Sequence, residues 1–417
     1  MTRHPVLRMG ASAGAAPFAL ALLAALAVLL AAGCAKLNLP SAAPAREQGP
    51  SLAEQARFYS FSDRDSVAES RRIDIRSQGL HSWMELADGL AVSLAYVGRK
   101  PQNELAVSRA GVVVTWGQLR RSLEELKALL PKLDRRPELL AERFAWYELR
   151  PSAAMTGYYT PEIEASLTRR PGYDWPIYAR PPDLRVQALG GGRQPRVYRI
   201  DKGRACAYYS RADVDLGGVL AGRGLELAWA RNPVDVYYLQ QEGCGRLRLP
   251  DGTVRDVVFA ASNGLEFESV SRILARRGLL APGRLGQKDV YAAYARDPAG
   301  VRRAMAENPR YVFFSLADRA SIGSLGAPLS PMVSVATDPA VLPLGALFVV
   351  QARIPGPGGE GVRDMRGVVL AQDAGRAIRG AELDFYTGLG HDAALVGSGI
   401  SARARVWLLL SRGAVGK

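Results

Sequence analysis

Apolar residues recur at helical spacing in the first part of the chain after residue 51. Thr115 and Gln118 form a capping-box pair that predicts a helix start. The apolar stripe of this helix is Leu119, Leu123, Leu126, Leu129 and Leu130. A second helix is predicted from Pro137, with buried residues Leu139, Leu140, Phe144 and Tyr147. Such stripes indicate core packing rather than a ligand site.

From about residue 151 the pattern changes to short extended runs separated by turns. Residues 246–257 predict a hairpin, because two alternating runs flank Asp251-Gly252. Further strands are predicted at 158–159, 197–198, 208–209, 236–239, 311–314, 333–335, 346–350, 367–371 and 405–410. Helices are predicted at about 267–277 and 288–307. The extended segments are expected to close into barrels or sandwiches.

The N-terminus has the pattern of an export signal. Arg3 and Arg8 precede an apolar stretch at 18–32, which is shorter than the roughly 20 residues of a membrane-spanning helix. Small residues lead directly to Cys34, as in a bacterial lipobox. We therefore expect a signal peptide at 1–33, acylation of Cys34 and a tether at 34–50, with sorting to the periplasmic face of the outer membrane. An ordinary signal peptide that contains a cysteine is the alternative.

The composition and charge of the chain exclude some classes of partner and reaction. The 417 residues carry a formal charge of +14, which favours an anionic partner, but no basic run with interleaved aromatics indicates nucleic-acid binding. Three histidines and three cysteines argue against a zinc site or a histidine-dependent nucleophile, so neither a metal nor a cofactor is expected. Cys206 and Cys244 could pair in an oxidising compartment or could both be small buried residues.

One segment near the C-terminus carries a candidate acid. An apolar strand leads into Asp373, and a glycine-bounded turn follows it to Asp384. In a strand, Leu383 and Phe385 face one way while Asp384 faces the other. An aspartic acid among apolar neighbours is desolvated, which raises its pKa and lets it donate a proton. Both aspartates could instead cap turns.

A second segment, Thr156-Gly157-Tyr158-Tyr159, offers aromatic rings and hydroxyls beside a glycine. Such rings are suited to stacking on sugars. Half-buried strand tyrosines are the alternative.

The chain resembles the membrane-bound lytic murein transglycosylase A family from about residue 150 onwards. The resemblance consists of eight ordered segments: 156–161 (TGYYTP), 176–183 (PIYARPPD), 242–252 (EGCGRLRLPDG), 263–278, 307–314 (ENPRYVFF), 335–345, 371–380 and 384–386 (DFY). Each segment alone is weak, but their order over the chain is specific.

The resemblance implies a mainly β fold with flanking helices, in which a double-psi β-barrel domain receives an inserted β-barrel domain and a groove between them binds glycan. It places residues 51–160 and 310–417 in the helical part and catalytic barrel, and 161–309 in the inserted domain. Asp384 is expected to be the single acid and base, with Asp373 and Asp338 as supporting residues. The expected groove residues are Thr156, Gly157, Tyr158, Tyr159, Gln241, Gly243, Gly245, Arg246, Asn263 and Tyr386.

The implied activity is non-hydrolytic cleavage of peptidoglycan between N-acetylmuramic acid and N-acetylglucosamine, with 1,6-anhydro ends. The expected partners are glycan strands, a membrane reached through the lipid anchor, and proteins of wall synthesis. The sequence departs from the family's QGSG at Glu242 and Cys244, and from its DTGG at Ala374 and Arg376. A two-carboxylate hydrolase pairing Asp384 with Asp373 or Asp338, or a peptidoglycan-binding lipoprotein with little activity, therefore remain alternatives.

Overall fold

The computed structural model describes residues 55–189, 195–281, 283–317, 322–375 and 378–416. The predicted signal, Cys34 and the whole predicted tether lie outside these residues. Within them, no helix is long and apolar enough to cross a membrane.

The described helices and strands are as follows. The helices are α1 (Asp63–Ser70), α2 (Ala87–Gly98), α3 (Trp116–Leu133), α4 (Leu139–Arg143), α5 (Arg211–Asp215), α6 (Pro233–Glu242), α7 (Val270–Arg276), α8 (Gln287–Arg296), α9 (Pro298–Ala306), α10 (Gly390–Gly397) and α11 (Arg412–Val415). The strands are β1 (Arg57–Ser60), β2 (Leu105–Arg109), β3 (Val112–Thr115), β4 (Phe144–Arg150), β5 (Ala153–Thr160), β6 (Glu162–Ser166), β7 (Trp175–Tyr178), β8 (Arg185–Gln187), β9 (Arg196–Asp201), β10 (Arg204–Ala207), β11 (Glu226–Ala230), β12 (Cys244–Arg248), β13 (Val254–Ser262), β14 (Val312–Ala317), β15 (Ser334–Thr337), β16 (Leu347–Pro355), β17 (Val362–Asp373), β18 (Glu382–Leu389) and β19 (Ser401–Ser411).

The first sheet is a closed barrel with two extra strands. Its eight strands follow the order β1-β4-β19-β16-β17-β15-β18-β5, and a further pairing of β19 with β5 closes six of them into a ring. Strand β18 runs parallel to β5 and antiparallel to β15. The barrel core and the N-terminal helices share one apolar cluster, which includes Phe348, Trp407 and Leu126.

The second sheet is built from the chain between β5 and β15. Its six strands follow the order β14-β13-β12-β6-β11-β7, and an isolated bridge from Ala179 to Phe314 brings its two edges together. The predicted domain boundaries at 160 and 309 stay a prediction. Strand β14, which lies beyond the second boundary, is hydrogen-bonded to β13 in this sheet.

Two segments adopt the opposite structure from the one predicted. Phe144 and Tyr147 were predicted in a helix but lie in β4, whose residues 144–149 are all buried between β1 and β19. Residues 236–239 were predicted as a strand but lie in α6, where the Asn232 side chain caps Val234 N–H and Pro233 occupies the first turn. Both are short apolar runs buried on every side, for which periodicity cannot separate helix from strand.

A buried glutamine fixes the N-terminal part to the barrel. The Gln78 amide donates to the carbonyls of Met332 and Val368, and its oxygen accepts from Val368 N–H at 3.0 Å. Gln78 is fully buried. A Cβ at Gly367 would lie 1.9 Å from the Gln78 oxygen, so the amide requires glycine there.

We predict that Gln78→Met lowers the free energy of unfolding by about 2–4 kcal/mol, because it leaves buried backbone groups without partners. Denaturant unfolding followed by circular dichroism measures the change. The control is Gln187→Met on the exposed strand β8, for which we expect a change below about 0.5 kcal/mol. Equal effects in the two variants would show that the Gln78 amide does not hold the two parts together.

Candidate active site

The parallel pairing of β5 with β18 brings the two sequence motifs together. Thr156 lies opposite Asp384, and Tyr158 lies opposite Tyr386. Leu383 and Phe385 are buried in the barrel core, as the alternation predicts. Asp384 therefore projects from the other face of the strand.

The surroundings of Asp384 favour the protonated form of its carboxyl. Burial raises its pKa to about 6, the nearby charge of Asp373 acts in the same direction, and a hydrogen bond from Thr156 opposes them. Thr156 Oγ1 donates to Asp384 Oδ1 at 2.8 Å. The carboxyl is not fully enclosed, because the residue keeps an intermediate exposure to solvent. A partly accessible acid with a pKa near neutrality can transfer a proton to a bound molecule.

Asp373 supports this acid from the end of β17. Its Oδ1 accepts from the backbone N–H and the hydroxyl of Ser324 and from Ala374 N–H. Its Oδ2 accepts from the Tyr158 hydroxyl at 3.1 Å. Burial and the charge of Asp373 raise the pKa of Tyr158, so the phenol stays a donor. Asp373 thereby orients Tyr158 beside Asp384.

Asp338 accepts hydrogen bonds from backbone groups rather than from a side chain of the site. It is buried, its Oδ2 accepts from Gly380 N–H at 2.8 Å, and its Oδ1 accepts from Ala340 N–H at 3.0 Å. Gly380 lies two residues before the start of β18. Asp338 therefore fixes the chain that enters the strand bearing Asp384.

On the side of the second sheet, the C-terminal end of α6 lies opposite these barrel residues. Gly243 ends this helix with a φ of 78°, and Gly245 follows in a site where a Cβ would lie 2.2 Å from Leu239. Arg246 Nε pairs with Asp256 at 3.0 Å. A cavity of about 290 Å³ lies here, between the barrel and the second sheet with its helices, which we call the first and second units. The residues that line it come from both and include Thr156, Gly157, Tyr159, Gln241, Glu242 and Gln287.

Several predicted groove residues are buried and hydrogen-bonded within the fold. Asn263 is fully buried, and its amide bonds the backbone of Tyr209, Pro309 and Tyr311. These bonds favour a structural role for Asn263, and its predicted contact with substrate stays a prediction. Tyr159 and Tyr386 are also buried; the Tyr159 hydroxyl accepts from Gln287 and that of Tyr386 bonds Thr160. Of the paired tyrosines, only Tyr158 keeps an intermediate exposure.

Glu242 is a site residue that the sequence prediction did not assign. Burial, followed by the charge of Asp384, raises its pKa to about 8, whereas a hydrogen bond from Tyr159 N–H opposes the rise. The available signal was an acid at a position where the resembling family has glutamine. Neither Cys244, the other departure in this segment, nor Cys206 forms a disulfide, so the two are not joined. The described residues contain no group of three or more histidine, cysteine or acidic side chains arranged for a metal ion.

The fold and this cleft define a β protein in which a closed barrel is joined to a second, inserted sheet, and in which Asp384, an acid with a raised pKa, lies on a barrel strand beside the cavity between them. The model of the MltA specific insert domain matches residues 154–315, and that of the 3D domain matches residues 333–410. Together they cover most of the two sheets, with β1 and β4 outside the matched ranges. The chain belongs to the membrane-bound lytic murein transglycosylase A family.

Curated relatives and solved structures agree with this assignment. Membrane-bound lytic murein transglycosylase A of Vibrio cholerae is 30% identical over 259 residues, and that of Escherichia coli is 28% identical over 259 residues. The match covers 61% of this chain and 64% of each relative, which is less than two thirds of the relatives' length.

Among solved structures, the membrane-bound lytic murein transglycosylase from Agrobacterium tumefaciens is 27% identical, with a TM-score of 0.64, over 86% of this chain and 99% of that one. MltA from Neisseria gonorrhoeae has a TM-score of 0.67 at 20% identity, over 87% and 96% of the two chains. Escherichia coli MltA with bound chitohexaose has a TM-score of 0.61 at 22% identity, over 78% and 90%. These likenesses confirm the predicted fold class of a double-psi barrel with an inserted domain.

We predict that Thr156→Val raises the pKa of Asp384 by about one, because a hydrogen bond to the charged carboxylate is lost. NMR titration of labelled aspartate carboxyl carbons measures it. Thr168→Val, at an exposed position of the second unit, is the control and should leave the titration unchanged. An unshifted Asp384 in Thr156→Val would mean that this bond does not stabilise the ionised form.

Proposed function

We propose that this protein is a lytic transglycosylase, a carbon–oxygen lyase that cleaves the β-1,4 bond between N-acetylmuramic acid and N-acetylglucosamine in peptidoglycan. The observation that carries the proposal is Asp384, an acid with a pKa of about 6, whose hydrogen-bond partner Thr156 lines the cavity between the barrel and the second sheet. The names of the curated relatives support the same activity.

Asp384 acts twice in this mechanism. It first gives its proton to the glycosidic oxygen, so that the N-acetylglucosamine side leaves as an alcohol. The acetamido group of N-acetylmuramic acid assists as the C1–O bond breaks. The Asp384 carboxylate then takes the proton of the 6-hydroxyl, whose oxygen bonds C1 to form the 1,6-anhydro ring. The carboxyl regains its proton, and no water is consumed.

A hydrolase would need a second carboxylate to activate water on the other side of the sugar. Asp373 is engaged by Tyr158, Ser324 and Ala374, and Asp338 is engaged by the backbone of Ala340 and Gly380. These bonds favour structural roles for both, and therefore favour the single-acid mechanism over a pairing of Asp384 with either.

We further propose that Cys34 carries a lipid anchor that holds the protein at the periplasmic face of the outer membrane, near its glycan substrate and wall-synthesis proteins. Support comes from the lipobox-like residues before Cys34 and from the words "membrane-bound" in the relatives' names. Incorporation of labelled palmitate that is abolished by Cys34→Ala tests the anchor.

We predict that Asp384→Asn lowers the release of soluble fragments from purified sacculi by about 100-fold or more, since the variant has no proton to give. Mass spectrometry of the wild-type products should show 1,6-anhydro ends. Asp364→Asn is the matched control, because Asp364 is exposed on β17. Products that carry added water would identify a hydrolase, and sacculus binding without release by the wild type would identify a binding protein.

A further inference from the structure

Glu242 lies where α6 of the second unit contacts β5 of the barrel. It is the last residue of α6, and Gly243 turns the chain away immediately after it. Its carboxyl accepts a hydrogen bond from Tyr159 N–H in β5. Glu242 also lines the cavity of about 290 Å³ together with Thr156, whose hydroxyl bonds Asp384. Thr156 therefore links Asp384 to the cavity that Glu242 lines.

The surroundings of this pair hold acids and phenols. Glu242 faces Tyr238 on its own helix, Tyr159 on β5 and Asp384 on β18. Asp384 is in turn influenced by Asp373, and Asp235 acts on Tyr159. In the part of the chain that the structure describes, none of the groups acting on either carboxyl is a cation. A buried carboxyl without a cation is neutralised by a proton instead.

We propose that Glu242 is a positioning residue that forms an acid pair with Asp384 and must hold its own proton while Asp384 works. This inference rests on the proposed function for its catalytic consequence, whereas the pair itself is tested separately below.

The physical reason is the charge that develops during the reaction. When Asp384 gives its proton to the glycosidic oxygen, it becomes an anion inside the cleft. A neutral Glu242 tolerates that anion, whereas an ionised Glu242 would repel it in surroundings of low polarity. The order of the two pKa values, about 6 for Asp384 and about 8 for Glu242, provides the neutral partner over the neutral pH range.

The pH dependence of kcat/KM tests this requirement. In the wild type, activity should fall with the ionisation of Asp384 and fall more steeply once Glu242 ionises. Glu242→Gln keeps a neutral side chain of the same shape and removes only the second step. The ratio of Glu242→Gln to wild-type kcat/KM should rise about tenfold between about pH 7 and about pH 9.

Glu164→Gln is the matched control. Glu164 is a solvent-exposed glutamate in β6 of the second sheet and pairs with Arg231. Its ratio to wild type should stay constant with pH. A constant ratio for Glu242→Gln would overturn the proposal, and so would a ratio that falls. Loss of activity at every pH in a folded Glu242→Gln would also overturn it, because Glu242 would then be a catalytic group.

A direct titration separates this proposal from the activity. NMR of labelled glutamate carboxyl carbons should find Glu242 titrating well above the other glutamates. In Asp384→Asn its pKa should fall, because the neighbouring negative charge is gone. If no pH yields soluble fragments but Glu242 shifts in this way, the proposed function fails and the acid pair stands. A Glu242 that titrates normally, or is unmoved in Asp384→Asn, rules the pair out.

Discussion

The parallel pairing of β5 with β18 is the constraint on which the rest of the site depends. It sets Thr156 beside Asp384 and Tyr158 beside Tyr386. The chain leaves β5 at Thr160 and enters β6 of the second sheet only two residues later. Arg246 N–H bonds the carbonyl of Pro161 at that crossing. The strand that orients the acid therefore continues, after a single residue, into the sheet that forms the other side of the cavity.

Keeping a carboxyl in this cleft costs stability. Asp384 has a higher pKa in the folded chain than in the unfolded chain, so the folded state binds more protons over the pH range between its ordinary value and about 6. Stability contributed by this group is therefore lost as the pH rises through that range. Glu242 extends the same loss towards pH 8. The closed barrel and its shared apolar cluster with α3 offset this cost, as is common where a site conflicts with stability.

Sequence patterns predicted those parts of the fold in which local periodicity and burial agree. The capping box at Thr115 and the hairpin around Asp251 formed because turn chemistry and alternation specify them locally. The patterns failed at β4 and α6, where burial on all sides removes the polar positions that distinguish a helix from a strand. At the site, alternation placed Asp384 opposite the core, but only the three-dimensional structure shows that Asn263 is enclosed by backbone groups. A motif states which residues recur and does not separate those that touch a ligand from those that hold a loop.

The paired carboxyls also bear on the chemistry. A retaining or inverting glycosidase needs one protonated and one ionised carboxyl at the start of the reaction. Here the acid that ionises first is Asp384, on the barrel strand, and Glu242 keeps its proton at neutral pH. Glu242 is therefore a poor base for activating water when Asp384 is ready to act as an acid. The proposed mechanism uses Asp384 alone, first as acid and then as base, so it places only one negative charge on this pair at a time, and it is compatible with this order of ionisation.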